Sequence, residues 1–141
     1  MFTAEEIMSQ NVITVREDTP IREAMEIMLK ERISGMPVLD ANDSLTGVLS
    51  EKDVVNLIYD KEGLETKKVR HFMTEHSISF DKDDGLVEIC DFLAKGLVRR
   101  VPITSQGKIV GIISVPDIIK YTLTLGREDR GHTSSSPNES L

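Results

Sequence analysis

The sequence contains one short pattern twice, GVLSEKD at 47–53 and GIISVPD at 111–117. Each copy has a glycine, two aliphatic residues, a serine, two variable residues and an aspartate. An offset of 65, which becomes 64 after a polar loop, also aligns other pairs, among them Met8 with Met73, Ile33 with Val98, and Pro37 with Pro102. Self-similarity of this kind predicts that the chain folds as two copies of one unit.

Each copy shows the same order of predicted elements. A β-prone run opens it, at 12–15 and at 77–80. A helix follows, which in the first copy Thr19 can cap and Pro20 can open. Two strands split by a polar turn come next, and a last helix begins after Ser50 or Ser114. This order predicts an α/β (α+β) fold of two βαββα units, and because units of roughly 60 residues are marginal alone, the two should pack together.

The same patterns divide the chain into four parts. We predict the first unit at 7–62, a polar connection at 63–71, the second unit at 72–125, and a disordered tail at 126–141. The tail reads GREDRGHTSSSPNESL and has almost no apolar residue with which to dock.

Bulk composition argues against several classes of function. The formal net charge is −7, whereas nonspecific nucleic-acid binding needs a basic face. No apolar run reaches the roughly 18–20 residues of a membrane span, and the acidic start MFTAEEIMSQ lacks the basic region of a secretory signal. The single cysteine, Cys90, leaves no intramolecular disulfide. We therefore expect a cytoplasmic protein without a nucleic-acid or membrane partner.

The serine and aspartate of the repeated pattern allow two interpretations. In a capping box, the serine caps a helix and the acid three residues later bonds back to it. Alternatively, a helix that begins at the edge of a sheet presents free N–H groups to an anion. The serine could then contact a phosphate, and the aspartate could accept from a ribose diol. No nucleophile and base can be paired, which argues against an enzyme.

Three segments recur in order in both halves: the starts IMSQNVITV and FMTEHSISF, the strands SGMPVLD and RRVPITS, and the two patterns above. Together they resemble a tandem pair of cystathionine-β-synthase (CBS) domains, a Bateman module, over residues 7–125. The resemblance implies a regulatory module that binds an adenine nucleotide (AMP, ADP or ATP) in clefts between the repeats and modulates a partner protein. It also implies that two copies of the chain form a homodimer through helices. We expect no obligatory cofactor and no metal.

The resemblance also implies roles for individual residues. Asp53 and Asp117 match the family's ribose-binding aspartate, and Ser50 and Ser114 match its hydroxyl residue near the phosphate. The remaining uncharged positions expected at the nucleotide are Ile13, Ile33, Met36, Pro37, Ile78, Val98, Val101 and Pro102.

The two clefts should not be equivalent. Arg99 and Arg100 match positions that turn basic side chains toward phosphate in adenylate-binding members, but the first half has Ser34 and Gly35 there. A structural salt bridge is the alternative role for the two arginines. For the whole chain, two alternatives stay open: a structural dimerisation module with vestigial clefts, and a sensor of an S-adenosylmethionine-type ligand.

Overall fold

The computed structural model describes residues 2–75 and 78–129. The helices and strands of the first part are α1 (Ala4–Ile7), β1 (Val15–Arg16), α2 (Ile21–Glu31), β2 (Gly35–Leu39), β3 (Leu45–Ser50), α3 (Glu51–Val54) and α4 (Lys61–Thr66). Those of the second part are β4 (Thr74–Glu75), β5 (Phe80–Asp81), α5 (Leu86–Ala94), β6 (Arg100–Ser105), β7 (Lys108–Ser114) and α6 (Val115–Asp129). Two 3₁₀ segments lie at Val55–Tyr59 and Val69–His71. This mixture of helix and strand confirms the predicted α+β class.

Strands β1–β3 and β5–β7 pair in the same order, and β4 adds a fourth strand to the first sheet. β1 runs parallel to β2, and β2 pairs antiparallel with β3, which places Gly35 opposite Ser50. In the second half β5 runs parallel to β6, and β6 pairs antiparallel with β7, which places Arg100 opposite Ser114. The predicted duplication is therefore confirmed at the level of residue pairs.

The opening strands are shorter than predicted. β1 consists of Val15 and Arg16, which pair with the last two residues of β2. β5 begins at Phe80, and the predicted run at 77–80 includes Ser77, which lies outside the described residues. The β propensity of residues 12–15 predicted a first strand that is too long. Propensity does not show how far a partner backbone pairs with the strand, and this pairing sets its length.

The start of α2 also differs from the prediction. The helix begins at Ile21, and Pro20 occupies the N-cap position. The Thr19 hydroxyl accepts a hydrogen bond from the Arg16 N–H at 3.1 Å instead of capping the helix. Such local bonding of a threonine competes with helix capping. The Ile21 N–H donates instead to the Lys67 carbonyl, 3.0 Å away.

The last helix is continuous in the second half. α6 runs through Asp129, which corrects the predicted start of the tail at Gly126. A helix that is already formed adds one hydrogen bond for each further residue, so it can propagate through Gly126 without an apolar face. The rest of the predicted tail, 130–141, lies outside the described residues. Within the described ranges, no helix is both long and apolar enough to cross a membrane.

The corresponding helix of the first half is interrupted. α3 ends at Val54 and the 3₁₀ segment follows. Asp60 then caps α4 by accepting a hydrogen bond from the Gly63 N–H at 2.8 Å. This bond and the Lys67 ammonium lower the pKa of Asp60.

Each half is completed by a segment that precedes the other half. The first segment, residues 3–9, pairs with the second half through Thr3 with Gly85 and Ser9 with Ile112. The second segment, residues 68–75, pairs with the first half at the equivalent positions, Lys68 with Pro20 and Thr74 with Val48. The two leading segments are therefore exchanged reciprocally.

The exchanged segments also enter the two hydrophobic cores. Ala4 is fully buried in the core of the second half, with Ile89 and Ile113. Val69 is fully buried in the core of the first half, with Ile21. The connection predicted at 63–71 is therefore partly core, and each half depends on the other to close its interior.

The glycine of each repeated pattern lies where an exchanged segment crosses the sheet. A β-carbon at Gly47 would overlap the backbone carbonyl oxygen of Thr74. A β-carbon at Gly111 would overlap the side chain of Met8. Close approach of another segment, which a side chain would prevent, is the reason for both glycines.

We expect Gly47→Ala to reduce the free energy of unfolding by about 1–3 kcal/mol, because the Thr74 carbonyl can move only with its strand. Gly111→Ala should cost less, since the flexible Met8 side chain can turn away. Gly126→Ala, a control in α6 with open space around it, should stabilise by about 0.5–1 kcal/mol. Urea unfolding followed by circular dichroism measures all three. Equal losses for the first two variants would contradict this account.

Candidate functional site

A cavity of about 350 Å³ lies at the seam between the two halves. Its volume is typical of a small-ligand site. The first half and its exchanged segment contribute residues 34–37, Val48, 50–53 and Thr74. The second half contributes Ile78, Phe92, 97–102 and Ile112.

The carboxylate of Asp53 is held in one orientation on the cavity wall. Its Oδ2 accepts hydrogen bonds from the Ser50 N–H at 2.8 Å and from the Ser50 hydroxyl at 3.1 Å. Its Oδ1 accepts from the Thr74 hydroxyl at 3.2 Å. An ionised carboxylate has about four acceptor positions, so Oδ1 keeps one for a further donor.

Ser114 and Asp117 form the same arrangement at the start of α6. Oδ2 of Asp117 accepts from the N–H and from the hydroxyl of Ser114, each at 2.8 Å, and the Asp117 N–H donates to Ser114 Oγ at 3.3 Å. The capping interpretation is therefore confirmed for both copies of the pattern. Only the Ser50–Asp53 copy also lines this cavity.

Three basic residues line the cavity: Lys52, Arg99 and Arg100. The Nε of Arg100 is buried and has no hydrogen-bond partner among the residues that the structure describes. A buried donor left without an acceptor costs about 1–3 kcal/mol. Neither arginine forms an ion pair within residues 2–75 and 78–129, so the alternative of a structural salt bridge finds no support there.

Exposed aliphatic side chains form an apolar part of the wall. Ile78 is 52% exposed, Leu97 72% and Val98 40%. A single exposed aliphatic residue is normal on a protein surface, but several that converge on one cavity indicate a ligand with an apolar face.

The cavity brings together ten of the predicted nucleotide-binding residues: Met36, Pro37, Ser50, Asp53, Ile78, Val98, Arg99, Arg100, Val101 and Pro102. The other four predicted residues are not among its lining residues: Ile13, Ile33, Ser114 and Asp117. These four are the repeat equivalents of Ile78, Val98, Ser50 and Asp53. Ile13 and Ile33 pack against the first core.

Sequence reasoning missed several lining residues, of which Lys52 and Thr74 matter most. Lys52 occupies a variable position of the repeated pattern, and a comparison of the two copies identifies only the positions that they share. Thr74 reaches Asp53 only because its segment is exchanged. The offset of 65 aligns Thr74 with Ser9, and a hydroxyl residue in both copies was the available signal.

The titratable groups that line the cavity are suited to binding a polar ligand. Carboxylates and cations line it, without a histidine or cysteine among its described lining residues. Burial raises the pKa of the Cys90 thiol, which lies elsewhere and is therefore not activated as a nucleophile. Within the described ranges, no group of three or more potential metal-ligating side chains occurs.

Comparison with known proteins identifies the architecture. The CBS domain model matches residues 4–60 and 69–124. The chain therefore belongs to the CBS domain family and carries two such domains in tandem, a Bateman module, as the resemblance implied. The crystal structure of CBSX2 from Arabidopsis thaliana in complex with AMP is similar, with a TM-score of 0.80 and 25% identity over 90% of this chain and 100% of that chain.

Two relatives come from Methanocaldococcus jannaschii. An inosine-5'-monophosphate dehydrogenase is 36% identical over 118 residues, which are 83% of this chain and 23% of that protein. An uncharacterized protein is 32% identical over 115 residues, which are 82% of this chain and 41% of that protein. The chain thus spans less than half the length of these curated relatives.

The two capping boxes predict a measurable difference in stability. Asp117→Ala should reduce the free energy of unfolding by about 0.5–2 kcal/mol, as loss of a helix cap does. Asp53→Ala should cost roughly 1 kcal/mol more, because the Thr74 hydroxyl also loses its acceptor. Urea unfolding measures both, with Glu23→Ala in the first turn of α2 as a control expected within about 0.5 kcal/mol of the parent. Unchanged stability in both aspartate variants would contradict the capping role.

Proposed function

We propose that this chain is a regulatory module that binds an adenine nucleotide (AMP, ADP or ATP) in the cavity between its CBS domains and thereby modulates a partner protein. One observation carries the proposal: a fixed carboxylate, Asp53, lines the same cavity as Arg100, a cation that forms no ion pair within the described residues. Ribose hydroxyls are donors that match Oδ1 of Asp53, and phosphate oxygens are acceptors that match the Arg100 guanidinium.

The rest of the cavity supports the same ligand. The aliphatic wall of Ile78, Leu97 and Val98 offers apolar contact to a planar base. Lys52 and Arg99 add positive charge to the same cavity. The AMP in the CBSX2 complex supports a nucleotide of this class, since that protein is similar to this chain over nearly its whole length.

Regulation follows from the position of the cavity. Its residues come from both halves, so a ligand that contacts both walls would favour one relative arrangement of the two domains. A partner that recognises one arrangement would then respond to the nucleotide. The match of this module to part of an inosine-5'-monophosphate dehydrogenase supports a role beside another functional protein.

Thermal unfolding with a panel of ligands tests the proposal. AMP, ADP or ATP at 100-fold over its dissociation constant should add about 2.7 kcal/mol to the stability of the folded state. Stabilisation by S-adenosylmethionine instead would favour the adenosyl sensor. The absence of stabilisation by every member of the panel would favour a structural module with vestigial clefts.

A substitution at Arg100 tests the phosphate contact. Arg100→Met should weaken AMP, ADP and ATP by about 10- to 150-fold, the loss of a hydrogen bond to a charged group. Adenosine binding should change little, since adenosine has no phosphate. Arg70→Met is the matched control, because Arg70 is an exposed arginine outside the cavity. Isothermal titration calorimetry measures each affinity, and an equal loss for adenosine and AMP would show that Arg100 is structural.

We also propose that the chain forms a homodimer through its last helices. Val55 and Tyr59 are 64% and 88% exposed, and their repeat equivalents Ile119 and Leu123 are 55% and 62% exposed. Large apolar side chains at equivalent exposed positions of both halves support one continuous interface. A symmetric pair of chains would bury all of them against each other.

The double variant Tyr59→Glu with Leu123→Glu should be a monomer. A dimer would have to bury two glutamates from each chain in this interface, and the burial of unpaired charges is unfavourable. Sedimentation velocity measures the change against the parent protein. Lys95→Glu, an exposed position after α5, is the control and should leave the sedimentation coefficient unchanged. A double variant that sediments like the parent would contradict this interface.

A further inference from the structure

The two halves contact each other through the turns of their hairpins. The first turn, residues 40–44, joins β2 to β3, and the second turn, residues 106–107, joins β6 to β7. The Leu45 N–H donates to the Gly107 carbonyl at 3.1 Å. A backbone hydrogen bond therefore crosses from one half to the other at these two turns, which we call the hairpin tips.

Lys108 adds a side-chain contact at the hairpin tips. It pairs with Ser44 in an isolated antiparallel bridge. Its ammonium donates to the Asn42 carbonyl and lies 3.5 Å from the hydroxyl oxygen of Ser44. A side chain of the second half is thus attached to the backbone of the first half, next to the backbone bond.

Each tip is also braced by its own residues. Oδ1 of Asp40 accepts hydrogen bonds from the Asn42 N–H at 2.8 Å and from the Ser44 N–H at 3.0 Å. Gln106 and Gly107 both have a positive φ, as in a two-residue turn whose twist matches that of its strands. Two braced turns that are bonded to each other form a well-defined point of attachment.

The cavity lies at the opposite end of the same hairpins. The start of β2 and the end of β3 line it, and so do the start of β6 and the end of β7. From Leu45 to Ser50, β3 extends about 16 Å at the usual rise of a strand. Within residues 2–75 and 78–129, no hydrogen bond or ion pair joins the two walls of the cavity. Hydrogen bonds therefore hold the two halves at the tips, whereas the cavity end can change its width without breaking one.

We propose that the hairpin tips are a hinge about which the two halves turn, so that a ligand in the cavity changes the width of the cavity end and leaves the tips joined. The inference rests on the proposed function for its ligand and names the motion by which that ligand acts. A rotation of about 10° at the tips would move a cavity wall by about 3 Å, because the wall lies about 16 Å away. Residues 10–14 and 78–79 belong to no helix or strand, so these parts of the covalent connections can follow the rotation.

Amide hydrogen exchange of the ligand-free chain tests whether the tips hold the halves together. Lys108→Met should make the Leu45 N–H exchange about fivefold faster, because one contact across the tips is lost. Arg16→Met is the matched control, since Arg16 contacts Asp43 and the Asp40 carbonyl at the same turn but within one half. Exchange of Leu45 in this control should stay within about twofold of the parent. An unchanged rate in Lys108→Met, or equal acceleration in both variants, would overturn the hinge.

Distances between spin labels test the motion itself. Lys30→Cys with Lys95→Cys places labels at the ends of α2 and α5, which lead into the starts of β2 and β6 that line the cavity. Asp18→Cys with Asp83→Cys places labels after β1 and β5, which pair with the last residues of β2 and β6 beside the tips. All four positions are exposed and equivalent in the two halves. Both pairs are made in Cys90→Ala and diluted with unlabelled parent protein, so that only distances within one chain are measured.

Double electron–electron resonance with and without AMP then compares the two pairs. AMP should shift the mean distance at the cavity end by about 3 Å and the mean distance at the tip end by less than about 1 Å. An equal or larger shift at the tip end, or no shift of either pair when AMP is bound, would overturn the hinge. No binding of AMP, ADP or ATP would overturn the proposed function, and the exchange measurement on the ligand-free chain then decides the hinge.

A cross-link at the tips provides a further test. Ser44→Cys with Lys108→Cys, also in Cys90→Ala, should form a disulfide, because the two residues are direct partners in an antiparallel bridge. Isothermal titration should give AMP affinities within about twofold for the oxidised and reduced forms, since the two halves do not separate at a hinge. A loss of AMP affinity by about tenfold or more on oxidation would show that the tips move apart on binding and would overturn the proposal.

Discussion

The reciprocal exchange of the two leading segments is the contact on which the rest of the structure depends. A unit of about 60 residues buries too little surface to be stable by itself. Here Ala4 enters the core of the second half and Val69 enters the core of the first. Because each interior is closed by a segment from the other side, the two halves are expected to fold and unfold together.

The same exchange builds the candidate site. The strand that crosses Gly47 also carries Thr74, whose hydroxyl fixes Oδ1 of Asp53. The cavity lies between the two halves. Asp53 of the first half and the arginines of the second half line it. A ligand that contacts both walls would therefore favour one relative arrangement of the two halves.

The two halves share their strand pairing and their helix starts, whereas several side chains around the helix starts differ. In both Ser–Asp boxes the serine N–H donates to the aspartate at 2.8 Å, because helix starts require the same local bonding in both halves. The cations around them are not under that requirement, and the positions aligned with Lys52, Arg99 and Arg100 hold Pro116, Ser34 and Gly35.

The sequence by itself determined the repeat and the order of elements, because these follow from local patterns and from a constant offset. It offered the capping box as one of two interpretations of the serine and aspartate, and ten residues of the cavity were expected through the resemblance to CBS domains. It did not determine the extent of β1 or the end of α6, since strand pairing and helix propagation depend on neighbours distant in the chain. Only the tertiary structure decided that residues 68–75 join the first half, that Thr74 meets Asp53, and which box faces the cavity. The physical reason is that the direction of a side chain is set by the packing around it, and two copies with equal spacing can be packed differently.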